Sequence, residues 1–216
     1  LGELGHEGSI INTPDRGQIL RELSQEQFDF IHVHYDVFYD IMDYIQVTRP
    51  AAKLAISSHY PYIDQPDRHP HDGYDKIYKW LINNDKYYNF CISHKDYETY
   101  KKDNAPLDKL LVCPNGAQHR DYNFQEKPDK PDWTLYLGKI EPRKRQHLYQ
   151  GIYGIEFVGH YTDTTDFNPK LADYLGEWTH QHKLQHVTDY GNMMLLSDGE
   201  NGTPLVIKEA LISGLG

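Results

Sequence analysis

The sequence predicts an α/β protein made of two similar halves. Three observations carry that expectation. Short apolar runs alternate with helix-like stretches along the whole chain; the alternation restarts after a polar, proline-bearing segment; and the apolar content suffices for a packed core. The chain has 216 residues, room for one large or two modest domains, of which 38% are hydrophobic and 13% aromatic.

Taken in order, LGELGHEG at the start reads as the tail of a helix leading into a strand, so a first strand is expected to be missing. FDFIHVHY (28–35), KLAISSHY (53–60), YYNFCIS (87–93) and KLLVCPNG (109–116) read as strands, the last stopped by Pro-Asn-Gly. Between them DVFYDIMDYIQV (36–47), DKIYKWLINND (75–85) and SHKDYETYKK (93–102) read as helices, the last opening on a Ser93 cap. FQEKPDKPD (124–132) has the composition of a linker or hinge, which divides the chain into 1–126 and 127–216. WTLYLGKI (133–140) then reads as a strand, RKRQHLYQG as the start of a helix, and IEFVGH (155–160) as a strand. After YLGEW (174–178) come a helix around KLQHVTDYG (183–191), a strand NMMLLS (192–197) and a helix from about Leu205. ALISGLG stops where another strand should begin, and the interval from 150 to 155 is short for a helix plus turn; missing segments are expected at both ends and inside.

A net charge of −10 argues against a general nucleic-acid binder, which needs a basic footprint. No apolar stretch reaches the roughly 18 residues of a membrane span and no leader is visible, so the expectation is a cytoplasmic protein, with peripheral membrane association left open. Cys91 and Cys113 lie in apolar runs and read as buried free thiols. The 13 histidines include HPHDG (69–73) and the group His180, His182 and His186. No cysteine pair or recognisable acid pattern accompanies them, so they read as solvated loop residues and no metal is expected.

In α/β folds ligands gather at the carboxyl ends of strands. The first such end in the second half is LYLGKIEPRKR, where Gly138 breaks the strand and Lys139 and Lys144 follow, with Arg143 and Arg145 beside the second. Ammonium groups so spaced can close on one diphosphate, although a basic run is also what a solvated face looks like. The second is SDGENGTPLVIKEALISG (197–214), in which Glu200 and Glu209 bracket a turn-rich loop opening a helix. The free amides of Leu205 and Val206 make an anion site there, and Gly202 and Thr203 admit a ligand close to the backbone. Glu209, one turn on, can accept hydrogen bonds from ribose hydroxyls; favourable capping of the helix dipole is the alternative for both glutamates. Together these ends suggest a sugar nucleotide. In the first half His59 closes KLAISSH at another strand end, where a neutral imidazole could meet a sugar hydroxyl or simply bond a nearby backbone group.

LGKIEPRKRQ is similar to the G-R-L-x-P-x-K-G stretch of the retaining glycosyltransferases of family 4, and SDGENGTPLVIKEALISG resembles their E-x7-E stretch. GHEG, DFIHVH, ISSHYP, CISHKDYETYKK, VCPNGA and IEFVGH follow in matching order, so the resemblance spans nearly the whole chain. It implies the GT-B fold, two Rossmann-like domains facing across a cleft: an acceptor-side domain (1–126) and a nucleotide-sugar-binding domain (127–216). It also implies transfer of a hexose-type sugar from a UDP- or GDP-linked donor to a carbohydrate or other hydroxyl acceptor. Anomeric configuration would be retained by same-face reaction assisted by the leaving phosphate. No cofactor or bound metal is implied, the nucleotide sugar being a substrate. By resemblance Lys139 and Lys144 hold the diphosphate, Leu205 and Val206 meet a phosphate, Glu209 binds the ribose and His59 stands beside the donor sugar. The pattern departs in three places. Eight residues, not seven, separate Glu200 from Glu209, so the sugar-contacting position falls on Glu200 counted from Ser197 and on Asn201 counted back from Glu209. Arg145 replaces a glycine, and the Gly-rich loop after the first strand is missing. Two rival readings are a non-catalytic nucleotide-sugar-binding member of the fold and an acidic protein-interaction module.

Overall fold

The computed structural model describes residues 5–65, 72–161, 166–200 and 202–216. The chain divides into two compact units, Leu1–Cys113 and Pro114–Gly216.

In the first unit Asp15 caps α1 (Arg16–Gln25), its Oδ1 accepting from the Gly17 and Gln18 amides at 2.8 and 3.2 Å. β1 (Phe30–Val33) leads into a 3-10 stretch, Asp36–Ile41, continued by α2 (Met42–Thr48). Then follow β2 (Lys53–Ser57), α3 (Tyr74–Asn83), β3 (Tyr88–Cys91), α4 (His94–Lys102) and β4 (Leu110–Val112). The four strands are parallel in the order β1-β2-β3-β4. Parallel neighbours need crossovers, which is why a helical segment separates each pair. Ile31, Leu54, Ile56 and Cys91 from the strands pack with Ile45, Leu81 and Tyr100 from the helices to form the core. Ser93 caps α4 as read from sequence, in a reciprocal box with Asp96.

The second unit runs β5 (Lys130–Leu137), β6 (Ile155–Val158), β7 (Asp173–Tyr174), α5 (His180–His186), β8 (Tyr190–Met193) and α6 (Leu205–Ser213). Its sheet is also parallel, in the order β7-β6-β5-β8. The chain first builds outward from β5 through β6 to β7, then returns to the other side of β5 for β8. The switch point therefore lies between β5 and β8, where α/β folds place ligands. Two glycines let β5 be approached this closely. A Cβ on Gly159, whose φ is +149°, would lie 2.0 Å from the Gly138 carbonyl oxygen, and one on Gly191 would lie 2.0 Å from that of Pro131.

The structure differs from the sequence reading in several places. No α-helix forms over RKRQHLYQG; two 3-10 turns, Pro142–Lys144 and Gln146–Leu148, flank Arg145 in the left-handed region at φ 59°. The carbonyls a helix would use are taken from elsewhere: Arg143 O accepts from the Asp198 amide at 2.8 Å, and Lys144 O accepts from the Tyr136 hydroxyl. The helix expected at 183–191 begins earlier, where Thr179 caps it through the His182 amide, and β8 starts at Tyr190 instead of position 192. α1 has no counterpart in the sequence reading. Residues 114–126 belong to the second unit: the Gln125 amide donates to Ser213 O at 3.2 Å, and Tyr122 packs in a core with Ala210. Cys91 is buried, but Cys113, at the end of β4, is exposed. Residues 5–15 form no helix or strand, and residues 1–4 and most of HPHDG lie outside the described residues. No helix among the described residues is long and apolar enough to cross a membrane.

Candidate functional site

The loops after β5 and β8 leave the sheet side by side at the switch point, and backbone bonds tie them together. Tyr136, buried in β5, accepts from the Leu196 amide at 3.1 Å while donating to Lys144 O, so one phenol fixes both loops. Gln146 is also buried and donates to Lys139 O at 2.9 Å. Glu200 is the focus of this arrangement. Its Oε1 accepts from Lys144 Nζ at 2.5 Å and from Arg143 Nη1 at 3.0 Å. Arg143 also donates to Gly199 O at 2.6 Å and to Glu141 Oε1 at 2.9 Å. Burial alone would raise the Glu200 carboxyl. The hydrogen bond from Lys144 and the charges of Lys144 and Arg143 outweigh it and hold the carboxyl below its usual range. The same two cations that converge on one carboxylate are placed to converge on a phosphate.

Gly138 directly follows β5 at φ 157°, and a side chain there would meet nothing. Lys139 points outward, 59% exposed, with Nζ 3.7 Å from Glu141 Oε2, whereas Lys144 is only 13% exposed. The structure thus separates the two lysines: Lys144 is inside the cluster and Lys139 at its rim. Gly202 takes a positive φ of 67°, Thr203 is exposed, and α6 opens at Leu205 and Val206 with Pro204 before it and no side-chain cap. Its first turn is available to an anion. Glu209, one turn on, is paired with Lys183 Nζ of α5 at 2.8 Å, both groups mostly buried. Tyr122 lies under the same ammonium, its ring 5.5 Å away; burial first, then Glu209, push its hydroxyl pKa up. Asn201 lies outside the described residues. Arg143 was visible in the basic run, but Lys183, Tyr122 and Tyr136 carry no local signal, since their partners are far away in sequence.

His59 belongs to a second cluster, in the first unit. It follows β2 and lies beside His34, which follows β1; the rings are 4.5 Å apart at 84°, with His59 Nε2 and His34 Nδ1 3.1 Å apart. His32 packs 5.2 Å from His34, and its Nε2 is 2.7 Å from Ser57 Oγ. Burial, followed by the neighbouring histidines, lowers His32 to about 4; burial and then His34 lower His59 as well. Both are neutral imidazoles near pH 7. No group of three metal-ligating side chains suited to a metal ion occurs among the described residues, although His182 and His186 do share one face of α5 with rings 4.2 Å apart.

No protein-family profile and no curated protein sequence matches the chain. Solved structures do. Anabaena Alr3699/HepE in complex with UDP-glucose superposes with a TM-score of 0.69 at 13% identity, over 92% of this chain and 61% of that one. AviGT4, a glycosyltransferase involved in avilamycin A biosynthesis, gives 0.64 at 14% identity, over 96% and 59%. A variant of S. aureus TarM in complex with fondaparinux, alpha-GlcNAc-glycerol and UDP gives 0.68 at 13% identity, over 90% and 42%. The chain thus spans less than two thirds of each of these proteins. Two α/β units with parallel four-stranded sheets, matched to these neighbours, have the GT-B fold.

Proposed function

We propose that the chain belongs to a retaining glycosyltransferase of the family 4 type, which moves a hexose-type sugar from a UDP- or GDP-sugar to a carbohydrate or other hydroxyl acceptor. The observation that carries this reading is the convergence of Lys144 and Arg143 on Glu200, in a switch-point loop that opens an uncapped helix. In that reading Lys144, with Lys139 at the rim and the Leu205 and Val206 amides, binds the diphosphate. Glu209 takes the ribose, and Glu200 and His59 act at the sugar. Gly202 and Thr203 lie in the loop that meets the donor, to which the sequence alone assigns Asn201. No metal is needed, because these cations and the helix start supply the positive charge a divalent ion would bring. Acidic overall charge agrees with a cytoplasmic enzyme that does not act on nucleic acid.

Glu200 occupying its own two cations, and Lys183 occupying Glu209, favour one second reading: a non-catalytic member that binds nucleotide sugar weakly. A calorimetric titration with UDP and GDP, followed by hydrolysis and transfer assays across UDP-, GDP- and ADP-sugars, separates them. Binding with turnover supports the transferase. Binding without turnover supports the second reading, and no binding of any nucleotide removes both.

A further inference from the structure

The histidine cluster of the first unit contains more order than a single catalytic imidazole requires. The contact between His59 Nε2 and His34 Nδ1 is 3.1 Å, so one of these nitrogens carries a proton and the other does not. That choice fixes the opposite nitrogen of His59. If His59 donates, its Nδ1 is an acceptor; if His34 donates, the His59 Nδ1 is a donor. His34 in turn is backed by the His32 ring, which stands 5.0 Å from Phe90 and is tied to the buried Ser57 hydroxyl. The chain Ser57–His32–His34–His59 thus runs across the ends of two adjacent parallel strands, paired in register from Phe30 and Lys53.

We propose that His34 is a positioning residue for His59: it selects the neutral tautomer and the ring orientation with which His59 meets its ligand, and His32, anchored by Ser57, holds His34 in place. A part of this, the benefit to turnover, rests on the reading of His59 as a group at the donor sugar; the tautomer assignment itself does not. A doubly protonated pair would put donors on both facing nitrogens and break the contact. Burial of the His59 ring lowers its pKa and so keeps that state away from neutral pH.

The test uses the full chain with His59 read directly by long-range ¹H–¹⁵N correlation of its imidazole nitrogens. In the wild type one neutral tautomer dominates. In His34→Phe the partner is gone and both tautomers are populated. His34→Asn, whose side-chain amide reaches about where Nδ1 lay, restores a single tautomer. His34 is exposed, so neither change opens a core cavity, and the amide fingerprint verifies the fold. An unchanged His59 tautomer in a folded His34→Phe overturns the proposal. In parallel, kcat for UDP-sugar turnover falls about tenfold in His34→Phe with the donor KM unchanged, and recovers in His34→Asn. Release of the tautomer in a protein that turns over no donor leaves the positioning role intact and refutes the transferase reading instead.

Discussion

Lys144 is 13% exposed and its ammonium already has a carboxylate at 2.5 Å, so the desolvation that a phosphate contact requires is largely complete before any ligand arrives. Lys144→Ala should therefore weaken UDP binding by about 1.5–3 kcal/mol, roughly 10- to 150-fold, as read by calorimetry. The variant also leaves Glu200 with Arg143 alone. Glu200→Gln should act in the opposite sense on free nucleotide, because it removes the anion that competes for both cations. UDP should bind several-fold tighter while donor turnover falls, if Glu200 touches the sugar. Unchanged UDP affinity in both variants would remove the nucleotide from this loop. His59→Ala is the complementary case: kcat should drop tenfold or more, about 1.4 kcal/mol of barrier, with UDP affinity intact. Full activity would return His59 to the scaffold.

At the level of elements, the strands other than the two-residue β7 were legible because each combines an apolar run with a nearby turn signal, and the Ser93 cap because its reciprocal acid lies three residues on. What was not legible had long-range causes. RKRQHLYQG has acceptable helix-forming residues, yet Tyr136 and Asp198 capture its carbonyls from strand and loop. Likewise Lys183 finds Glu209 across 26 positions, and His34 finds His59 across 25. Gly159 shows how tightly β5 and β6 are joined: Gly159→Ala forces a Cβ onto the Gly138 carbonyl at a φ that suits only glycine. A loss of more than about 2 kcal/mol in urea unfolding is expected, against near-neutrality for Gly116→Ala, which has open space. Asp36, at the start of the 3-10 stretch after β1, offers a pH test. It is 3% exposed, and burial raises its carboxyl pKa against the smaller lowering influence of the neighbouring Ser58 and Tyr74 hydroxyls. The folded state then binds more protons than the unfolded one above the unfolded value of about 3.9, so this group's contribution is full at low pH and is lost as pH rises through that window. Asp36→Asn should remove that fall. Parallel urea midpoints for wild type and variant from acid to neutral pH would contradict it.

For the molecule as a whole, each unit has its own sheet and its own core, so ligand effects can be assigned to one or the other. A ligand that binds only the folded state adds RT ln(1 + [L]/Kd), about 2.7 kcal/mol when present at 100 times its Kd. The groups assigned to the nucleotide all lie in the second unit: Gly138, Lys139 and Lys144 after β5, the loop from Ser197, and the first turns of α6. UDP without a sugar should therefore slow amide exchange in that unit, most at 138–145 and 202–209, which hold the loop after β5 and the first turns of α6. The slowing should approach a hundredfold at saturating nucleotide for amides that exchange through opening of the site, since a hundredfold is what about 2.7 kcal/mol represents. The amides of Lys53–Ser57, in β2 of the first unit, serve as the internal reference. In Lys144→Ala the same UDP concentration should give a smaller effect, shifted by the loss in affinity and no more. Protection that fell on β2 alone, or that was equal in wild type and Lys144→Ala, would place the nucleotide somewhere other than the switch point between β5 and β8.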